Sequence, residues 1–401
     1  MNTKTLSFII ILIFAFVLFS YANDGMGNFP KNNNIFANRL MKDTCKAQEN
    51  FVISPLSLNM AMSLVSNGAG GKTLQEFGSV LQNGPFANKF GKYERNFVKY
   101  SQKDMNIYNR NLLANSKTLG AENYSVANGI WIRSPYTKEF YNTAKNYYNA
   151  DVYPLTQSGA KDINSWINKK TKGKIPSMVE KIGPTDKAYI VNAVYFYSKW
   201  KNAFPKYGTI DEQLFHTENG KTINCTMLTD EREYKVLDYR GGQILIKEMD
   251  CMAAMYFMLP PKNMKLADWL KNIDFNSVIT NDTEGTEFYR IAVPKFKIEY
   301  KKDFGRTFKE SGLKSAFGNN SDFSRLDKKN TTFISSVLHK ATIGIDEKGC
   351  EASAATVIKM MGKGAPRPAK ILRFDRPFAF AIIDELDNIV IFEGCVYNPS
   401  N

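Results

Sequence analysis

Histidine is scarce in this chain: only His216 and His339 occur in 401 residues. No His or Cys pair sits at metal-ligand spacing, so a zinc site of the usual kinds is excluded. Gly-x-Ser-x-Gly is absent, and so is a glycine-rich phosphate loop, which leaves an enzyme reading without support. The five cysteines (Cys45, Cys225, Cys251, Cys350, Cys395) are scattered, with no Cys-x-x-Cys. Their odd number leaves at least one thiol unpaired or bridged between molecules. A chain this long folds on its core, so it is not a disulfide scaffold. Long apolar runs are also missing after residue 19. The run at 6–19 is shorter than the roughly 20 apolar residues a membrane span needs. Lys4 before it and Ser20-Tyr21-Ala22 after it give residues 1–22 the form of a cleaved signal peptide. The expectation is a secreted protein with no membrane span. Acidic residues fall short of basic ones, 39 against 53, for a net charge of +14. That balance favours acidic partners, and a secreted address points to glycosaminoglycans or anionic surfaces, not nucleic acid. Internal repeats and low-complexity linkers are lacking, so residues 23–401 read as a single domain.

What is present fits that compartment and an α+β fold. Five Asn-x-Ser/Thr sequons, at Asn123, Asn224, Asn281, Asn319 and Asn330, are candidate glycosylation sites. Apolar residues at helical spacing predict helices over 34–41, 56–65, 73–81 and 162–172, the second opening at Ser54-Pro55 with proline in the first turn. Strand signals cover 189–197, 243–247, 253–259, 290–300 and 333–345. Residues 378–383 and 389–396 read as a hairpin closing across 385–388. Helices first and long strands later suggest large antiparallel sheets.

Five separated segments carry more specific information: NFVISPLSLNMAMSLVSNGAGGKT (50–73), VNAVYFYSKWKNAF (191–204), VLHKATIGIDEKG (337–349), FDRPFAFAIID (374–384) and IFEGCVYNP (391–399). In this order and at these separations they resemble the serpins, serine-protease inhibitors that act by inserting their own loop. The resemblance runs from about residue 29 to the C-terminus. It implies a serpin fold, with three β-sheets, eight or nine helices and an exposed reactive loop at about 347–372. It also implies a non-enzymatic monomer. A target protease attacks the loop as a substrate and forms an acyl-enzyme. The cleaved loop then enters the main sheet as a new strand, and the distorted protease stays trapped, a release of stored strain.

The loop residues support that reading physically. An inserting strand turns every second side chain into the core. Counted from Cys350, the inward set is Cys350, Ala352, Ala354, Thr356 and Ile358; the outward set includes Glu351, Ser353 and Ala355. No inward residue is charged, whereas an inward charge would enter a dry site at high cost. Gly349 is expected to supply backbone freedom to the hinge. Cys350 departs from the Thr or Ser usual at the first inserting position, yet cysteine is small and accepts burial. Counting from Glu347 along the family pattern places the scissile bond at Lys363–Gly364, and the length onward to Pro377 resembles that of antithrombin. Lysine there suits a pocket carrying a carboxylate, hence a trypsin-like target. Cleavage at Met360 or Met361 would instead suit a chymotrypsin- or elastase-like enzyme. A non-inhibitory carrier is the other alternative.

The resemblance assigns further roles. Ser54, Pro55, Ser57, Asn192 and His339 map onto the family's gate for insertion, Trp200 onto the tryptophan at the top of the opening sheet, and Glu347 with Lys295 onto a hinge-bridging pair. Lys89, Lys92, Arg95, Lys99 and Lys103 step by three or four residues, placing them on one helical face. They lie where family members bind heparin, which makes a heparin-like glycosaminoglycan a candidate partner; no cofactor is required. The alternation yields a test. Ala354→Arg should turn an inhibitor into a substrate while cleavage persists, read as loss of the SDS-stable protease complex. Continued trapping by that variant contradicts the inward assignment.

Overall fold

The computed structural model describes residues 29–82, 101–115, 124–281, 285–350 and 368–400. Nine α-helices and sixteen strands occur among them. The strands are β1 (Phe51–Ile53), β2 (Tyr124–Ile132), β3 (Asp151–Pro154), β4 (Ala188–Phe196) and β5 (Ser198–Lys199). They continue as β6 (Thr209–His216), β7 (Thr222–Tyr239), β8 (Gly242–Glu248), β9 (Ala253–Leu259) and β10 (Glu287–Pro294). The last six are β11 (Phe296–Asp303), β12 (Ile334–Ile345), β13 (Gly349–Cys350), β14 (Lys370–Arg373), β15 (Phe378–Asp384) and β16 (Ile389–Val396).

One sheet runs β3-β2-β4-β12-β13-β5, with β11 on the far side of β12. The other two expected sheets are continuous, because the 18-residue β7 belongs to both. Its first part pairs with β6 and β10, and its last part with β8. The strands β9, β15 and β16 are buried along their whole length, which explains sequences that are apolar but for Asp384 and Glu393.

Local chemistry sets the supporting helices. Helix Pro55–Ser66 starts where the Ser54 hydroxyl accepts the Ser57 amide, with Pro55 in the first turn. Every residue of this helix is buried, against β4 and β16. Helix Phe29–Thr44 is polar at its start, yet Asn33 and Asn34 are buried. Asn34 accepts the Val390 amide at 2.9 Å and donates to the Asn388 carbonyl at 2.9 Å, which ties this helix to the β15–β16 hairpin. Helix Gly159–Lys170 turns Trp166 inward, where its indole donates to Asp151 and packs edge-on against Trp131 at 5.1 Å. Burial works against the Asp151 carboxylate, but Lys145, Lys170 and Trp166 together hold it down at about 2.

One expectation changes. The stretch 290–300 is two strands in different sheets, not one: Pro294 has no amide to continue the ladder and ends β10. The Lys295 amide then donates to Thr226 before β11 joins β12. Helix Gln102–Asn115 opens with the Ser101 amide bonded to Asp104 at 3.0 Å and the Asp104 amide to the Ser101 hydroxyl at 3.2 Å. Lys103 therefore lies in the first turn of this helix. Lys89, Lys92, Arg95 and Lys99 lie outside the described residues.

Glu393 on β16 is wholly buried, and among the described residues neither carboxyl oxygen has a hydrogen-bond partner. Burial pushes its carboxyl well above the usual carboxylate range. Such a group costs nothing extra below its unfolded pKa and loses stability for the fold as pH rises above it. Glu393→Leu should therefore stabilise by roughly 1–3 kcal/mol near neutral pH. The gain should shrink toward pH 5 in urea unfolding; an equal gain at pH 5 and pH 8 would contradict a protonated Glu393.

Candidate functional site: a closed strand seam and its hinge

The sequence-derived gate residues converge beneath the junction of β4 and β12. These strands pair in parallel directly with each other, from Ala188 opposite Ile334 to Tyr195 opposite Thr342. Asn192 lies opposite His339 across that seam, and opposite Asn128 on β2. The Ser54 amide donates to His339 Nε2 at 3.1 Å, which leaves the ring proton on Nδ1 to donate to Asn192 Oδ1 at 2.6 Å. Asn192 Nδ2 donates in turn to the Ser57 hydroxyl at 2.6 Å and to Asn128 Oδ1 at 2.7 Å. The Ser54 hydroxyl donates to the Ile391 carbonyl at 2.7 Å. One chain of hydrogen bonds thus joins β16, helix Pro55–Ser66, β12, β4 and β2. Asn128 is a member that the sequence reading missed; only its register against Asn192 reveals it. Parting the seam at this level breaks the side-chain bond from His339 to Asn192; at its start the Lys187 amide also donates to the Ser335 hydroxyl, at 2.8 Å.

At the end of the seam the chain turns back. β13 pairs antiparallel with β12 on one side (Cys350 opposite Ile345) and with β5 on the other (Gly349 opposite Lys199, Cys350 opposite Ser198). The turn is tied by Asp346, whose side chain accepts the Lys348 and Gly349 amides. The hinge is thus already wedged between β12 and β5. Cys350 is completely buried, on the inward side as the alternation requires. Gly349 is needed for a reason other than the expected one. Its φ is not in the left-handed region, but a Cβ there would sit 2.1 Å from the Ser198 carbonyl oxygen. Close approach of two backbones, not conformational freedom, demands glycine.

Trp200 and Phe204 hold the turn from the side. The Trp200 amide donates to the Lys348 carbonyl at 2.8 Å, its indole to the Asp346 carbonyl at 2.9 Å, and the Phe204 amide to the Glu347 carbonyl at 2.8 Å. Lys295 bonds the Glu347 carboxylate at 3.0 and 3.2 Å, and the Thr209 hydroxyl adds a third bond at 2.9 Å. Burial works to raise the Glu347 carboxyl, but its own amide, Lys295 and Thr209 keep it below the usual range. Thr209 was not anticipated. Glu351, Ala352, Ser353, Ala354, Ala355, Thr356, Lys363 and Gly364 lie outside the described residues, as does Asn123. Asn224, Asn281, Asn319 and Asn330 are all exposed.

Nothing in this arrangement resembles a catalytic centre. His339 is enclosed in the seam, and His216 lies exposed on β6 in another sheet. Among the described residues no group of three His, Cys, Asp or Glu side chains could hold a metal ion, and no helix is long and apolar enough to cross a membrane. The described site consists of a closed seam, a side-chain hydrogen bond across it and a strand end seated at its mouth.

A seam of this kind in an α+β scaffold defines the serpin architecture, and the comparisons agree. A family model described as "Serpin (serine protease inhibitor)" matches residues 31–399. The chain belongs to the serpin family. It is 26% identical over 374 residues to Serpin-ZXA of Oryza sativa subsp. japonica, covering 88% of this chain and 91% of that one. A serine protease inhibitor of Cyanea capillata is 27% identical over 371 residues, covering 88% and 93%. The native crystal structure of the thermophilic serpin tengpin superposes with a TM-score of 0.82 at 28% identity, covering 92% of this chain and 94% of that one. Human thyroxine-binding globulin also gives 0.82, at 24% identity, covering 93% and 98%, and shares the fold.

Burial pushes the His339 imidazole down to about 3. A neutral buried histidine contributes its full stability above the unfolded pKa of about 6.5 and loses it as pH falls toward the folded value. The loss should reach about 2 kcal/mol by pH 5. His339→Gln should lack that acid-dependent component in urea unfolding. A variant with the same slope between pH 7 and pH 5 as the parent would place the titration elsewhere.

Proposed function

We propose that this protein is a secreted suicide-substrate inhibitor of a trypsin-like serine protease, cleaved at Lys363–Gly364. The observation that carries the reading is the hinge: an uncharged, inward Cys350 already seated between β12 and β5, ahead of a seam crossed by the His339–Asn192 hydrogen bond. Loop entry from this start adds one strand antiparallel to both β4 and β12, and every buried amide it brings finds a partner. Relatives of similar identity carry names that fit, including intracellular coagulation inhibitor 2 of Tachypleus tridentatus and alpha-1-antiproteinase S of Cavia porcellus, each 27% identical. The signal-like N-terminus and the four exposed sequons support an extracellular, glycosylated protein. A sulfated glycosaminoglycan is the proposed accessory partner, on the strength of the +14 charge and the basic residues between 89 and 103.

Mixing the mature protein with trypsin and denaturing in SDS under reducing conditions should give a stable band near the summed masses. The released C-terminal fragment should begin at Gly364. A fragment beginning at Met361 or Gly362 would move the target to a chymotrypsin- or elastase-like enzyme. Rapid cleavage by all three protease classes without a stable band would remove the inhibitor reading in favour of a carrier.

A further inference from the structure

Two of the five thiols meet a thioether in the core beneath the end of helix Phe29–Thr44. The Cys395 thiol on β16 donates to the Met41 sulfur at 3.9 Å, and both side chains are completely buried. Cys45 follows one turn after Met41, in the short turn Cys45–Ala47 that closes the helix. Its thiol donates to the Lys42 carbonyl at 3.4 Å. The Tyr397 hydroxyl, two residues beyond Cys395, donates to the Cys45 carbonyl at 3.1 Å. Helix end and strand therefore meet at two successive levels, Met41 on Cys395 and Cys45 on Tyr397, which gathers three sulfurs in one place.

A buried sulfur contact alone is ordinary core packing. This one has a carboxyl beside it. Glu393 stands two residues before Cys395, so both side chains project from the same face of β16. It is wholly buried, and among the described residues neither of its oxygens has a partner. Burial, and next the charge of Glu393, push the Cys45 thiol up to about 11. Burial, then Cys45, then Glu393 act on Cys395 in the same direction, so the carboxyl lies close to both thiols. Apolar packing has no use for a carboxyl at this position; a thiolate formed there would accept its O–H.

Two sulfurs on one metal ion at about 2.3 Å sit roughly 3.7–4.0 Å apart, and the Met41–Cys395 separation of 3.9 Å falls in that range. Two thiols and a thioether, with no imidazole among them, are soft donors that select Cu(I) over divalent ions. We propose that Met41, Cys45 and Cys395 form a Cu(I) site, with Glu393 as the residue that positions a bound thiolate. Each thiol that becomes a ligand gives its proton to solvent, and the ion keeps its oxidation state, so no oxidant or reductant is consumed. Glu393 stays protonated and donates to the thiolate sulfur. Exposed Lys46 follows Cys45, so the site lies one residue below the surface. Bound copper would cross-link the first helix to β16, the strand whose Ile391 carbonyl takes the Ser54 hydroxyl under the seam. None of this depends on the inhibitor reading.

The full, reduced protein would be titrated anaerobically with Cu(I), supplied as its acetonitrile complex, in competition with the chelator bicinchoninate. One equivalent should be withheld from the chelator, and its X-ray absorption should show a sulfur shell at about 2.3 Å. Cys45→Ser and Cys395→Ser should each lose that equivalent, whereas Cys251→Ser should keep it. Met41→Leu should weaken binding about tenfold or more. Glu393→Leu separates the site from mere packing, because it should stabilise the fold and yet weaken Cu(I) binding about tenfold. Should a cysteine variant fail to fold, Met41→Leu and Glu393→Leu, both apolar replacements in an apolar core, carry the test. No withheld equivalent, a shell of nitrogen or oxygen, or binding indifferent to Met41→Leu and Glu393→Leu overturns the proposal. Copper retained by Cys395→Ser but lost in Cys251→Ser overturns it as well.

Discussion

The direct parallel pairing of β4 with β12 is the constraint on which the rest of this structure depends. The seam is closed by backbone hydrogen bonds along its length, but its side chains on the inner face are polar where they cross it, at Asn192 and His339. An apolar inner row would seal the sheet by packing, and nothing short of unfolding would part it. A hydrogen-bonded row is directional and can change partners, since each group can bond a newly arrived backbone instead. Enclosure keeps that row costly to disturb while the seam is shut. His339 stays neutral, its two nitrogens divided between the Ser54 amide and Asn192, so the latch depends on one tautomer.

The mouth of the seam follows a different principle. There the chain is held by close backbone approach and by a clamp from the side. Gly349 admits β13 between two strands at a distance no other residue allows, and Cys350 fills the first inward position without charge or bulk. Trp200 and Phe204 use their backbone and indole donors on the turn and their ring faces on Lys247. The same side chains thus connect the hinge to β7 and β8. Buried groups with poor compensation, such as Glu393 without a partner and Lys247 without a carboxylate, keep the packed state from reaching its lowest possible energy.

Much of this was legible in the residues. The helix opening at Ser54-Pro55, the closing hairpin and the buried runs of β9 and β16 follow from capping chemistry and apolar patterning, which act over a few neighbouring residues. The gate residues came from family resemblance, and their convergence follows the expected pattern down to Glu347 and Lys295. The 290–300 stretch was misread because its alternation continues across Pro294, and alternation cannot say which sheet a strand joins. β7 escaped notice because its second half, with its charges at 230–235, looks like a loop until β8 and β10 are seen to flank it. The helix start at Ser101 was also hidden, because the spacing of basic residues runs straight through a capping box.

By itself the amino-acid sequence determined the family and the α+β class, and it named the residues that meet at the seam. Each rests on residue types or short-range spacing. Only the tertiary structure decided that the seam is closed with the hinge already seated at its mouth. It also decided that Gly349 is required by space, and that Lys247 sits under the same rings that grip the hinge. Those facts depend on register and on contacts between residues far apart in the sequence, where each strand's partner is chosen by the packing of the whole molecule.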